Sequence, residues 1–283
     1  MKNIGCIIQA RSGSTRLPKK VLMKLPYNSE KTVLEQVINR VQKSNKINDI
    51  VLATTNAKED DIIENIGEKL GVKIYRGAEK NVLKRFYNAA KNNKLDIIIR
   101  ITSDCPVIDW EILDELIKKH IQDNNDYTSN VLERTYPHGM DAEIFNFSVL
   151  EDAFLNSTEQ YEKEHVTPYI YKTHPKKFKI GVLKSNYDND ISRLRITLDT
   201  QEDYTLICTI YDYLYNEKKI FKTDDIIKLF KEKPWIFNIN KKVNQKRVCA
   251  NLEEEITEAL ALLEKQDLNK AKKYLEEKYY EAK

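Results

Sequence analysis

Four cations fall within ten consecutive residues near the start of the chain, in Gln9-Ala10-Arg11-Ser12-Gly13-Ser14-Thr15-Arg16-Leu17-Pro18-Lys19-Lys20. Small side chains at Ser12, Gly13, Ser14 and Thr15 let backbone amides approach a ligand. Arg11, Arg16, Lys19 and Lys20 bring positive charge to the same turn. Amides plus clustered cations suit a triphosphate, whose charge must be held by many donors at once. The loop has neither G-x-x-x-x-G-K-[ST] nor G-x-G-x-x-G, which excludes the P-loop and the dinucleotide fingerprint. A plain solvated turn is the alternative, but four like charges on one turn repel each other unless an anion joins them.

A second feature is a near-duplication. Arg100-Ile101-Thr102-Ser103-Asp104 and Arg195-Ile196-Thr197-Leu198-Asp199 both read R-I-T-x-D, each at the end of a predicted strand. Period-two alternation places Arg, Thr and Asp of each copy on one face. Ligands of open parallel sheets bind beyond the carboxyl ends of the strands, so Asp104 and Asp199 are expected to face that crevice. Two carboxylates there suit Mg²⁺, a hard ion usually held by one or two carboxylates plus phosphate oxygens. Taken singly, each Asp fits a helix cap equally well.

A third cluster, Arg134, His138, Gly139, Asp141 and Glu143, followed by Glu164 and His165, offers a polar wall for a hydroxylated anionic substrate. Glu143 and His165 fit structural hydrogen bonding as readily. None of the four histidines (His120, His138, His165, His174) stands in a Ser or Cys nucleophile context, and H-E-x-x-H is absent.

The elements that must carry these residues alternate in the first half of the chain. Strands are expected at Ile4–Ala10, Ile50–Thr54, Lys73–Arg76 and Asp96–Thr102. Helices are expected after the Thr32/Glu35 capping box, at Glu59–Leu70 (capped by Gly71) and at Val82–Asn92. That spacing predicts βαβ units and a largely parallel sheet. Beyond Asp104 the pattern is mixed. Helices are expected at Trp110–Ile121, Val149–Leu155, Tyr161–Tyr171, Asp203–Leu214 and Asp224–Lys231, with a turn at Pro234–Ile239. Strands are expected at Ala142–Phe145, Lys177–Lys184 and Arg193–Leu198. Residues 252–281 read as two helices, with Leu252, Ile256, Leu260 and Leu263 on one stripe. The expected division is a domain over residues 1–247 and a helical tail over 248–283.

Composition narrows the classes. The 283 residues are 41% hydrophobic and 32% charged with a net charge of +3, a soluble globular profile and not that of a dedicated nucleic-acid binder. From Val248 onward nine acids face six lysines, −3 in all, which leaves +6 on the body. A moderately basic body suits a small anionic ligand, although solvated surface lysines account for it as simply. No apolar run approaches the ~20 residues of a membrane span. The stretch Ile4–Ile8, cut short by Arg11, is too brief for a signal peptide. Four dispersed cysteines, with no C-x-x-C, fit a reducing cytoplasm.

The loop I-I-Q-A-R-S-G-S-T-R-L-P-K-K-V-L resembles the opening motif of the cytidylyltransferases that activate acidic sugars, among them the 3-deoxy-manno-octulosonate and acylneuraminate enzymes. Further motifs resemble most the spore coat polysaccharide biosynthesis branch. They are R-G-A-E-K-N-V-L-K-R-F-Y (76–87), R-I-T-S-D-C-P-V-I-D (100–109), Y-P-H-G-M-D-A-E-I-F (136–145), E-H-V-T-P-Y-I-Y (164–171) and L-R-I-T-L-D-T-Q-E-D (194–203). The resemblance covers residue 3 to about 247 and leaves the tail outside. It implies a nucleotide-diphospho-sugar transferase fold, Rossmann-like, with a mixed and mostly parallel sheet.

The resemblance also implies a reaction, CTP + sugar acid → CMP-sugar + pyrophosphate. The anomeric hydroxyl attacks the α-phosphorus in line, and positioning and electrostatics carry most of the catalysis. Arg11, Lys20, Asp104 and Asp199 are then the catalytic set, with Asp104 and Asp199 as Mg²⁺ ligands. Ser12, Gly13, Ser14, Arg16, Arg76 and Arg100 join the nucleotide contacts. Arg134, His138, Asp141, Glu143, Glu164 and His165 face the sugar. The family shows L-P-G-K where this chain has Leu17-Pro18-Lys19-Lys20. If that Gly holds a positive φ, Lys19 must bear the strain.

Two other readings are open. A glycosyltransferase or sugar-1-phosphate nucleotidyltransferase shares such a sheet, but D-x-D near Asp104 and the G-x-G-x-R loop are missing. A non-catalytic nucleotide-binding module would recruit partners through the tail. The tail itself packs on the body, forms a homodimer contact or binds a partner protein; packing on the body is the default expectation.

Overall fold

In a computed structural model, which describes residues 2–243, 249 and 251–281, the apolar N-terminal run forms β1 (Ile4–Gln9). Thr32 and Glu35 close the capping box that opens α1 (Val33–Val41): the Thr32 hydroxyl accepts from Glu35 N, and the Glu35 carboxylate accepts from Thr32 N. There follow β2 (Asp49–Thr55), α2 (Asp61–Lys69), β3 (Lys73–Gly77), α3 (Val82–Asn92), β4 (Ile97–Thr102) and α4 (Trp110–Gln122). Gly71, at φ +68, ends α2 in the left-handed conformation that glycine adopts cheaply.

Later come β5 (Tyr127–Ser129), β6 (Glu143–Asn146), α5 (Phe147–Asn156), α6 (Gln160–His165), β7 (Ile180–Val182), α7 (Gln201–Leu214) and α8 (Thr223–Glu232). One sheet holds all seven strands in the order β3-β2-β1-β4-β6-β5-β7. β3, β2, β1 and β4 are mutually parallel, β6 is antiparallel to β4 and β5, and β7 is parallel to β5. Strand order reverses between β1 and β4, the switch point where ligands bind in open α/β sheets. The cation loop leaves β1 there, and Asp104 follows β4.

Four segments differ from expectation, the simplest being the strand expected over Lys177–Lys184, which is cut to Ile180–Val182. Of the run expected as a strand over Arg193–Leu198, Arg193 ends a 3₁₀ turn and Leu194–Leu198 is extended but is no strand. His138 N donates to Leu194 O, Ile196 N to His138 O and Leu198 N to Asp104 O, so its partners are loops. Its apolar side chains Ile196 and Leu198 pack with α7 and α8 in a separate core. The helix expected over Tyr161–Tyr171 is broken at Val166, where φ 73 and ψ −55 with a Thr167 N to His165 O bond of 2.9 Å make a γ-turn. Pro168 reinforces the break, since the residue before a proline avoids helical backbone. A π-helical turn, Tyr169–Thr173, follows. Strand β5 lies in a stretch read as loop, because only three residues separate its Asn/Asp flanks and show no alternation.

Two apolar layers clamp the sheet. Leu34, Val37, Ile38, Leu113 and Leu116 from α1 and α4 meet Ile8, Leu52, Ile99 and Ile101 on one face. Leu83, Phe86 and Ala90 from α3 meet Ile7, Val51 and Ile98 on the other. Each fully buried Leu or Ile stabilises by roughly 1.5–3 kcal/mol, which makes the strand ends a rigid base for the loops above them. The chain divides into two units, Met1–Val243 and Asn244–Lys283; the boundary expected between residues 247 and 248 lies outside the described residues. The second unit pairs α9 (Leu252–Lys265) with α10 (Asn269–Glu281), joined by a Lys272–Glu264 bridge of 3.1 Å. Among the described residues no helix is long and apolar enough to cross a membrane.

Candidate active site

The cation loop is pinned from below. Ser12 is buried, and its amide and hydroxyl both donate to Asp60 Oδ1, at 2.8 and 2.6 Å. The Thr55 hydroxyl donates to the other oxygen of the same carboxylate. Burial pushes the Asp60 carboxyl up, and these donors more than reverse it, leaving it below its ordinary value. The Ser12 carbonyl in turn accepts from Ser14 N at 2.9 Å and Lys19 N at 3.0 Å, which closes the loop on itself. Asp60 was invisible in the sequence, being one acid in the run Glu59-Asp60-Asp61.

Lys19 stands at φ 56, ψ 24, in the left-handed region. That is the strain expected if the family resemblance puts Gly here, about 1–2 kcal/mol for a side chain. Lys19→Gly relieves it but loosens the unfolded chain by about 0.4–1 kcal/mol. The expected net is a Tm rise of about 1–4 °C by calorimetry, and a fall in Tm would contradict it.

Lys20 is the hinge of the site. Its Nζ donates to Asp104 Oδ2, Asp199 Oδ1 and the Leu198 carbonyl, each at 2.8 Å. The two aspartates, 95 positions apart in sequence, therefore meet at one ammonium from the loop. Burial raises both carboxyls, but the Lys20 charge and hydrogen bonds outweigh it. Asp199 is driven down to about 2, and Asp104 also falls below its ordinary value. Burial works to lower the Lys20 ammonium, and the two carboxylates lift it above its ordinary range.

Asp199 is held by two more cations: Arg16 Nη2 and Arg195 Nη2, each 3.0 Å from Oδ2. Arg195 is fixed by the fully buried Asp203, through bonds of 3.0 and 2.7 Å. Asp203 also accepts from Asp199 N, Thr200 N and the Asn240 amide. Sequence reasoning missed Arg195 and Asp203 as site residues. Their signals were the second R-I-T-x-D copy and the Thr200/Asp203 capping box that starts α7.

The polar wall divides. Arg134 grips Asp141 with two bonds, 2.8 and 3.0 Å. His138 lies beside them, Nε2 3.7 Å from Asp141 Oδ2 and Nδ1 3.1 Å from Arg195 Nη1. Arginine only donates, so Nδ1 accepts and Nε2 carries the proton. Burial lowers the His138 pKa and keeps the ring neutral near pH 7. Gly139, at φ +119, lets this segment touch the second motif, since a Cβ there would stand 2.5 Å from Ile196 O.

The other expected residues lie apart from Lys20. Glu143 accepts from Tyr127, Thr167 and Arg100, inside the sheet layer, so both Glu143 and Arg100 are engaged there. Arg76 bonds Thr55 O, Ala57 O, Asp61 and Glu64, and so ties β3 to β2 and α2. Arg11 pairs with Glu79 at 3.0 Å, toward the β3 side. Glu164 is exposed on α6, and His165 ends that helix.

The site can thus gather negative charge at one end and positive charge around it. Three hard oxygens, two from carboxylates and one from a carbonyl, surround a single point, the donor chemistry that Mg²⁺ takes. Among the described residues no three His, Cys, Asp or Glu side chains form a metal-binding group.

A model of the cytidylyltransferase family matches residues 5–273, so the similarity runs past residue 247 into the tail that was expected to lie outside it. The chain is 35% identical over 239 residues to the spore coat polysaccharide biosynthesis protein SpsF of Bacillus subtilis, covering 83% of this chain and 96% of that one. It is 26% identical over 192 residues to a 3-deoxy-manno-octulosonate cytidylyltransferase of Thermodesulfovibrio yellowstonii, covering 64% and 70%. Its fold superposes on a cytidylyltransferase structure from Leptospira borgpetersenii with a TM-score of 0.78 at 34% identity, covering 87% of this chain and 99% of that one. The fold is that of the nucleotide-diphospho-sugar transferases, and family membership decides for an enzyme over a non-catalytic module. With its cation loop closed over paired aspartates at the switch point of the sheet, this chain belongs to the cytidylyltransferase family and is a nucleotidyltransferase.

Proposed function

We propose that the chain transfers CMP from CTP to the anomeric hydroxyl of an acidic, nonulosonic-type sugar, with release of pyrophosphate, for a surface polysaccharide or glycan. The convergence of Asp104, Asp199 and Lys20 carries this reading, because it puts two carboxylates and a cation loop where a triphosphate meets a divalent ion. The acidic sugar is supported by the names of the SpsF and octulosonate relatives.

Mg²⁺ is the proposed cofactor; Asp104 and Asp199 would hold it, and it would supply positive charge to the reacting phosphate. Arg16 and Lys20 then serve the outgoing phosphates, with Arg11 and the Ser12–Ser14 amides along the chain of the nucleotide. Arg195 keeps Asp199 ionised and aimed. On the sugar side, the neutral His138 offers its Nε2 proton to a substrate oxygen, while its Nδ1 is already taken by Arg195 and cannot act as a base. Free thiols at Cys6, Cys105, Cys208 and Cys249 support a reducing compartment, the cytoplasm.

The test is pyrophosphate release with each of four nucleotides, MgCl₂ and a panel of sugar acids and neutral sugars. CTP with a sugar acid is the expected productive pair. Turnover with a neutral sugar, and with no acid, would overturn the sugar assignment.

A further inference from the structure

The point between the paired aspartates is taken by the chain's own ammonium. Lys20 Nζ stands 2.8 Å from Asp104 Oδ2 and from Asp199 Oδ1, with the Leu198 carbonyl completing the set. Asp199 has no oxygen to spare, since Oδ1 faces Lys20 while Oδ2 faces Arg16 and Arg195. An ion that bridges the two aspartates must therefore replace one of these cations. Among the described residues Lys20 is the only cation that touches both carboxylates. Mg²⁺ binds oxygen at about 2.1 Å, so ion and ammonium cannot share the point.

The neighbours of Lys20 permit such an exchange. Arg195 is braced by the fully buried Asp203, with bonds of 3.0 and 2.7 Å, and stays with Asp199. Lys20 Nζ has no comparable anchor behind it: among the described residues its hydrogen bonds end at the two aspartates and one carbonyl. The backbone there is fixed, since Met23 N donates to Lys20 O and Val21 is buried. What can move is a four-carbon stem, which changes rotamer while the loop keeps its place. The way out is open, because the side chains of Lys20, Asp199 and Asp104 are 12%, 17% and 25% exposed.

The charges point the same way. Among the described residues, Lys20, Arg16 and Arg195 form one set of ion pairs with Asp104, Asp199 and Asp203, three positive charges against three negative. A divalent ion added alone unbalances this set and leaves an ammonium without a carboxylate. A triphosphate that arrives with the ion supplies the oxygens to receive it.

We propose that Lys20 is an exchangeable place-holder: its ammonium keeps Asp104 and Asp199 together until ion and nucleotide arrive, then passes to the phosphates. The inference rests on the CTP and Mg²⁺ reading and deepens it. Ion and nucleotide then favour each other's binding by the same factor in both directions, because each removes a cost the other would bear alone.

EPR measurement of free Mn²⁺, titrated without nucleotide into wild type and Lys20 variants, tests the exchange apart from catalysis. Lys20→Met removes the competing charge and is expected to bind one Mn²⁺ about tenfold tighter than wild type, or more. Adding Asp104→Asn to that variant abolishes the gain, which locates the ion between the aspartates. Lys20→Gln, whose amide still donates to a carboxylate, gains less but in the same direction, and it decides the matter if the Met variant does not fold. Equal or weaker Mn²⁺ binding in the Lys20 variants, or a gain that survives Asp104→Asn, overturns the place-holder role and leaves the CTP reading standing. Failure of wild type to bind Mn²⁺–CTP, titrated in parallel, overturns both.

Discussion

Asp199→Asn lowers pyrophosphate release from CTP by about a thousandfold or more, with the protein still folded. The size follows from what the substitution removes. Asn keeps the shape and one accepting oxygen, but the negative charge shared by Lys20, Arg16 and Arg195 is gone. Three cations then crowd a neutral group, and the proposed divalent ion would lose half of its carboxylate support. Loss of one preorganised electrostatic contact in such a site costs ~10²–10³ in rate, and with the proposed Mg²⁺ the metal and cation placement would fail together. The side chain is 17% exposed, so solvent screens part of the damage, and the stability loss is expected near 2 kcal/mol and not the larger figure of a sealed pair. Asp104→Asn behaves alike in rate. It spares the Asp104 backbone carbonyl, which accepts from Leu198 N and Thr197 Oγ1 and holds the two motifs together. Steady-state rates within tenfold of wild type in either variant would remove the aspartates from the reaction.

The second large effect is expected at Lys20→Met. Turnover is expected to fall at least a hundredfold, because the loop cation that touches both aspartates is also the one proposed to serve the phosphates. The pH dependence of stability changes as well. In wild type the carboxyls of Asp104 and Asp199 are depressed, so their stabilisation is present above about pH 4 and is lost as pH falls toward 2. Without Lys20 two facing carboxylates repel, and the variant gains stability on acidification from pH 7 to 5, where the wild type does not. Urea midpoints across that range read the difference. Added MgCl₂ stabilises the variant more than wild type, since it fills the point the ammonium leaves.

Much of the architecture was legible because local signals agree with the fold. The Thr32/Glu35 box, the Gly71 cap and the apolar strands of the first half each name one conformation. What failed lay where tertiary contacts decide. Ile196 and Leu198 look like a strand because they alternate, yet their partners are the loops at His138 and Asp104, which no local pattern reveals. Val166 sits in a γ-turn beside which the Thr167 hydroxyl donates to Glu143 at 2.7 Å, a long-range contact that local periodicity does not show. In the site, Asp104, Asp199 and the cation loop could be found by type and spacing. Arg76 and Glu143 share the same chemistry but not the same place, because period-two reasoning gives a face of a strand and not the partner on the next one. Asp60 was unreadable for the converse reason: its place under the loop comes from burial and from donors at Ser12 and Thr55 that no local pattern names.

Water-proton relaxation enhancement of Mn²⁺–CTP, titrated with wild type, Asp104→Asn and Asp199→Asn, probes the gripped ion without a chemical step. A strong enhancement in wild type that is lost in both variants is the predicted result. The same enhancement in all three proteins would place the ion on the nucleotide alone and contradict the role given to the paired aspartates.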